Sequence, residues 1–148
     1  MQEIFTGSTL TATQIKKYAH YSTTSLKKKA GDVFRAWIRN RDKGNRCISC
    51  GAWEPSDAGH FYPAGTVPAL EFDEDNVHLQ CRKCNFYESA NLHDYRPNLI
   101  KKIGLERVER LDYIEAYWKG RPYKQDRFRY IEIIIYYSKS GQKQHILK

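Results

Sequence analysis

Two Cys-x-x-Cys pairs constrain this 148-residue chain more than any other feature of it. Cys47-Ile48-Ser49-Cys50 and Cys81-Arg82-Lys83-Cys84 hold all four cysteines, with 30 residues between the pairs. A tight C-x-x-C turn presents two thiolates to one ion, and a second such turn completes a tetrahedron. A lone pair fits a redox dithiol equally well; two pairs with no cysteine left over favour zinc. A chain of this length is one domain, with room for an appendage. Its modest core makes a metal staple useful. Met1–Leu10 lacks the basic and apolar segments of a signal peptide, and no apolar run reaches membrane length. Together with the paired cysteines, this leads us to expect a reducing, cytoplasmic setting.

Charge is distributed unevenly around these pairs. The net charge is +8, built from +7 over residues 1–50, −5 over 51–96 and +6 over 97–148. An acidic centre between basic flanks suits a metal-dependent site on a polyanion, with the flanks on phosphates and the centre on divalent cations. The plainer reading is charge for solubility.

Along the chain, a short helix is expected around Thr13–His20, capped by Thr11 or Thr13. Residues 25–42 form a helix with Ser25 as N-cap and a stripe of Leu26, Val33, Phe34, Trp37 and Ile38. Lys27, Lys28, Lys29, Arg35 and Arg39 fall outside that stripe, as a solvated face or as phosphate contacts. After the first cysteine turn, Asp57–Tyr62 reads as a short strand. A second starts near Asn76, and the second cysteine turn opens a helix to about Ala90. The order strand, loop, strand, helix around a metal is a ββα-metal unit. Pro97 suits a first helical turn, and Gly104 divides residues 97–119 into two helices. Residues 123–138 are rich in β-formers yet also fit a helical face, and we assign helix; from Ser138 a frayed tail is expected. The expected fold is thus α+β and mainly helical: an N-terminal segment 1–24, a zinc-containing core 25–111 and a basic C-terminal extension 112–148. Trp37, Trp53 and Trp118 are expected in the core or half-buried.

The central stretch also carries residues of catalytic type. Phosphodiester hydrolysis needs a base near neutral pKa, stabilisation of the leaving oxygen and a held phosphate. His60 is the best candidate base, since neutral imidazole takes a proton at pH 7. Asn85 and Asp57 offer hard oxygens to a divalent ion. Asn76 begins the facing strand and is placed to brace the loop or orient the imidazole. Arg82, Lys83 and Arg96 add cations for a nucleic acid; Tyr95-Arg96 would alternatively anchor the following helix. His78 is expected to face outward from its strand, and His93 to lie in a loop.

Cys47-Ile48-Ser49-Cys50-Gly51, Asp57-Ala58-Gly59-His60, Asn76-Val77-His78, Gln80-Cys81 and Cys84-Asn85 together resemble the phage NinG/Rap recombination endonuclease family. These are HNH, or His-Me finger, nucleases with a four-cysteine zinc site, similar to the endonuclease VII type. The resemblance runs from about Leu26 to Leu111. It implies His60 as general base, Asn85 as ligand of a catalytic Mg²⁺ or Mn²⁺, and Asn76 as a structural member of the HNH triplet. It also implies branched DNA as substrate, a Holliday junction or D-loop, in phage or prophage recombination within a bacterial host. A homodimer would suit a two-fold junction. One position departs from the pattern. HNH sites carry an acidic residue or histidine directly before the base, and here that residue is Gly59. Asp57 shares its strand parity but lies roughly 7 Å away. A bulge near Gly59 would bring it in, or His78 or His93 would take its place. The alternative function is a non-catalytic zinc-finger protein that binds nucleic acid.

Overall fold

The computed structural model describes residues 10–123 and 126–145. The expectations placed on Met1–Thr9 and on the last three residues lie outside the described residues. Within them the order is α1 (Ala12–Lys17), α2 (Thr23–Arg41), β1 (Asp57–His60), β2 (Val77–Gln80), α3 (Leu92–Ile103), α4 (Leu105–Trp118) and α5 (Arg127–His145). The architecture is helix-dominated α+β with one two-stranded sheet among the described residues. Two units emerge from Cα proximity. One holds residues up to Trp37 and those after Tyr123; the other is Ile38–Tyr123.

In the first unit, α1 starts on a capping box. The Thr11 hydroxyl accepts from Gln14 N at 3.2 Å while Gln14 Oε1 accepts from Thr11 N at 2.8 Å. The cap of α2 is Ser22 rather than Ser25: its hydroxyl accepts from Ser25 N at 3.1 Å, which lets the helix begin earlier. Leu26, Ala30 and Phe34 are buried, one every four residues, which is a single helical face. The β-rich run 130–137 is helical, with Tyr130, Ile131, Ile133, Ile134 and Tyr137 buried. Tyr137 packs edge-on against Phe34 with ring centroids 4.9 Å apart. Burial against a helix thus overrides β propensity. The stretch expected to fray from Ser138 continues as helix to His145.

In the second unit, β1 and β2 pair antiparallel in the register Asp57↔Gln80, Ala58↔Leu79, Gly59↔His78 and His60↔Val77. The pairing is unbroken, so the bulge considered near Gly59 does not exist. Beneath the sheet lies a core of Phe61, Val67, Leu70, Tyr95, Leu99, Val108 and Leu111. The helix expected to run from the second cysteine turn to Ala90 is instead a π-helical turn, Lys83–Tyr87, then a 3₁₀ turn, Ser89–Asn91. Ser89, Ala90 and Asn91 have φ of 48°, 70° and 45°. Three left-handed residues in succession cannot continue a right-handed helix, and no glycine or proline marks them. Consequently α3 begins at Leu92, and Pro97 falls inside it rather than in its first turn. His93 is on α3, exposed, not in a loop. Gly104 divides α3 from α4 as expected, at φ 88°.

Ion pairs account for much of the acidic centre. Buried Asp42 pairs with Arg41 at 2.8 Å and Lys102 at 3.2 Å and accepts Leu79 N. Burial pushes its carboxyl up, but Arg41 and then Lys102 outweigh this and hold it below the carboxylate range. Arg107 and Arg110 likewise hold the buried Asp75 carboxyl down; Arg110 also pairs with Asp73 at 2.8 Å. His78 does not face outward. It is buried beside Tyr95, whose hydroxyl lies 3.4 Å from its Nδ1. Burial, with Lys102 and Arg41 nearby, lowers its pKa to about 3.

A pH dependence follows from His78. Unfolded, this histidine titrates near its ordinary 6.5; folded, it refuses the proton down to about 3. Its penalty is therefore absent above pH 6.5 and grows as pH falls, by about 1.4 kcal/mol per pH unit. Urea melts of wild type and His78→Gln at pH 7, 6, 5 and 4 should show stability falling less steeply in the variant below pH 6. Parallel slopes would remove His78 as the cause.

Candidate metal centres

Each cysteine turn is built by its own backbone. Gly51 N donates to Cys47 O at 2.9 Å, with Gly51 at φ +73°, a conformation that favours glycine. Asn85 N donates to Cys81 O at 3.0 Å in the second turn. Ile48 N donates to Leu79 O at 3.0 Å, tying the first turn to β2 just before the second turn begins. Asn98 of α3 donates its amide to Ile48 O and Ser49 O. The result is that the Sγ atoms of Cys47, Cys50, Cys81 and Cys84 all lie within 4.8 Å of one another. All four are free thiols, and Cys50 and Cys81 are 3.6 Å apart. That spacing is close to the edge of a tetrahedron with zinc–sulfur bonds of about 2.3 Å. Burial opposes ionisation of Cys47, yet backbone N–H groups of Cys81, Cys50 and Ser49 outweigh it and lower its pKa. A soft four-sulfur cluster with amide donors suits a structural metal such as zinc.

The other predicted site residues gather beside this cluster. Asn85 follows Cys84 in the π-helical turn, and its Nδ2 donates to Asp57 Oδ2 at 3.0 Å. Ser56 Oγ donates to Asp57 Oδ1 at 3.1 Å and Arg82 to Oδ2 at 3.2 Å. Burial raises the Asp57 carboxyl, but these three donors hold it below the carboxylate range. A Cβ built on Gly59 would stand 3.0 Å from Asn85 Oδ1 and 1.8 Å from Gln80 Oε1. Gln80 was not among the site residues read from the sequence. Its register opposite Asp57 in a strand pair is the signal that would have found it.

His60 ends β1, with Nε2 2.9 Å from Glu71 O. A carbonyl only accepts, so Nε2 carries the proton, and the lone pair of the neutral ring lies on Nδ1. Asn76 is fully buried. Its Nδ2 donates to Tyr62 O at 2.9 Å and Leu70 O at 3.0 Å, and its Oδ1 accepts Tyr62 N at 2.8 Å. It therefore braces the loop that ends at Glu71. Tyr95 OH donates to Gly59 O at 3.0 Å and pins β1 to α3.

Among the expected nucleic-acid contacts, Lys27, Lys28, Lys29 and Arg39 are exposed on α2, and Arg35 pairs with Asp32 at 2.8 Å. Lys83 pairs with Glu88 at 3.3 Å. Arg96 makes a two-point ion pair with Asp112, at 2.8 and 2.6 Å. Of its two expected roles, the geometry is that of an anchor between α3 and α4. Trp37 and Trp118 are half-buried, but Trp53 is 70% exposed, with the Arg46 guanidinium stacked on its ring at 3.7 Å. Phe86 and Tyr87 are exposed beside Asn85. Among the described residues no helix is long and apolar enough to cross a membrane.

Fold and site together define a helix-dominated α+β protein with a four-cysteine cluster, suited to a structural metal, against a two-stranded sheet. A family model described as Bacteriophage Lambda NinG protein matches residues 8–139, and the chain belongs to that family. It is 41% identical over 101 residues to protein ninG of Escherichia phage 933W, and 40% to those of Salmonella phage P22 and Escherichia phage lambda. Each match covers 67% of this chain and 50% of the relative, so the chain spans about half the length of the curated relatives it matches. No solved structure matches the chain significantly.

Elemental analysis of the purified protein should find one zinc per chain. Cys81→Ser should lose it and unfold the Ile38–Tyr123 unit, since structural zinc contributes roughly 10–16 kcal/mol in small fingers. A cooperatively folded, metal-free variant would remove the structural zinc.

Proposed function

We propose that the chain is a metal-dependent DNA endonuclease of the HNH, or His-Me finger, type, acting on branched recombination intermediates such as a Holliday junction or D-loop. One observation carries the reading. The residue preceding His60 and the asparagine following Cys84 meet, with Asn85 Oδ1 3.0 Å from the Cβ position of Gly59. A candidate base and a candidate metal ligand, far apart in sequence, are thereby carried by touching elements.

In this reading His60 Nδ1 takes the proton from the attacking water. The Nε2 hydrogen bond to Glu71 O fixes the ring and its tautomer and stabilises the imidazolium that forms. Asn76, by clamping Tyr62 and Leu70, sets where that carbonyl stands. Asn85 and Asp57 would hold Mg²⁺ or Mn²⁺, which when bound stabilises charge on the leaving oxygen. Arg82 and Lys83, exposed beside Asn85, would hold phosphates, and Lys27, Lys28, Lys29, Arg35 and Arg39 on α2 would hold others. Two copies on a two-fold-symmetric junction are part of the proposal.

A second reading, a zinc-finger protein that binds nucleic acid without cutting it, is favoured by exposed Trp53, Phe86 and Tyr87 among Arg46, Arg82 and Lys83. Such rings stack on unpaired bases. Cleavage of a labelled four-way junction, beside linear duplex, with Mg²⁺ and with EDTA, separates the two. The nuclease should cut the junction only with the divalent ion. His60→Ala should reduce the rate by at least about 100-fold while zinc content and binding persist. Undiminished cutting by the variant would sink the base assignment, and tight binding without cutting would leave the second reading.

A further inference from the structure

We infer that Gln80 supplies a second protein oxygen to the divalent cation, in the place where the residue before the catalytic histidine would put a carboxylate. This rests on the nuclease reading above and deepens it. Gln80 is fully buried, and its Oε1 is buried with no hydrogen-bond partner. A fully buried amide oxygen without a partner is costly, so it calls for a ligand.

The direction of that oxygen is set by chemistry. Gln80 Nε2 donates to Ser49 Oγ at 2.7 Å and to Ala90 O at 2.7 Å. Ser49 Oγ itself donates to Ala90 O at 3.0 Å. Turning the amide over would press Oε1 against a carbonyl oxygen, so Nε2 stays on Ala90 and Oε1 points at β1. Asn85 is fixed in the same way, because its Nδ2 faces the Asp57 carboxylate. Two amides thus give their hydrogens outward, to Ala90 and Asp57, and turn their oxygens inward. Both oxygens lie within 3.0 Å of the Cβ position of Gly59. Two neutral hard oxygens flanking one small volume suit Mg²⁺ or Mn²⁺, which retain several waters beside one or two protein ligands.

Gly59 now has a reason. Any side chain there would collide with Gln80 Oε1, at 1.8 Å from its Cβ. The oxygen arrives from the opposite strand instead of from residue 59. Asp57, engaged by Asn85, Arg82 and Ser56, also aims the Asn85 oxygen. Neither His78, buried, nor His93, exposed on α3, is needed.

The test measures Mn²⁺ binding to the zinc-loaded full chain by the loss of the free-ion electron paramagnetic resonance signal, beside junction cleavage. Gln80→Ala should weaken Mn²⁺ binding at least about tenfold with zinc content unchanged. Gly59→Asp added to Gln80→Ala should restore it, because the carboxylate then fills the same point and the backbone of Gly59 is not left-handed. A role limited to the Ser49 and Ala90 hydrogen bonds would not be rescued this way. If Gln80→Ala loses zinc or fails to fold, Gly59→Ala serves instead. It places a methyl on the Oε1 position with both Nε2 acceptors still present, and should weaken Mn²⁺ equally. Wild-type affinity in a zinc-loaded Gln80→Ala or Gly59→Ala protein overturns the assignment while leaving any nuclease activity standing. Gln80-dependent Mn²⁺ binding without cleavage of any DNA supports the cation site and overturns the nuclease. No Mn²⁺ binding by wild type overturns the site.

Discussion

Four sulfur atoms within 4.8 Å of one another hold the turn before β1 and the turn after β2 at one point. A two-stranded sheet of four residues per strand is too small to be stable alone. Here its ends are joined through the cysteine turns, through Ile48 N on Leu79 O, and through Asn98 on the first turn. The position of Asn85 is a direct consequence, since it follows Cys84 and its backbone N–H closes the second turn on Cys81. In the proposed nuclease, the zinc would therefore act on catalysis only by holding the asparagine still.

Buried polar groups do the remaining positioning. Tyr95 on Gly59 O, Asn76 on Tyr62 and Leu70, and Asp42 on Leu79 N each fasten one strand or loop to something behind it. Each uses a group whose isolation from water would be costly, so each specifies one arrangement. Arginine 41 extends the scheme, donating to Glu74 O and Val77 O as well as pairing with Asp42. Charge in the acidic centre is thus consumed in part within the protein, by Arg107 and Arg110 on Asp73 and Asp75. Net acidity along a sequence did not mean a bare acidic surface, because the partners come from basic segments that fold over it.

Asn76 and His60 illustrate how a bracing residue and the proposed base become coupled. The asparagine reaches no candidate metal ligand. It clamps the loop whose last carbonyl receives His60 Nε2, and a shift in that loop would alter the tautomer the proposed base depends on.

The sequence by itself determined the four-cysteine cluster, the helices with four-residue apolar spacing, the Gly104 break and the family. These rest on local spacing or on side-chain chemistry that neighbours cannot change. It also pointed to His60, Asn76, Asn85 and Asp57 from residue type and place. Tertiary structure decided the rest. His78 turned inward because the face of β2 it shares with Gln80 is covered by α3, which strand alternation cannot reveal. The helix expected after Cys84 broke at Ser89, Ala90 and Asn91, three residues at positive φ with no glycine or proline among them. Gln80 came against Gly59, which thereby lost the room for a side chain, although the two lie 21 residues apart in the chain. Which atoms converge across a strand pair depends on register and on the direction of each amide, and both are set only when the buried hydrogen bonds are all made.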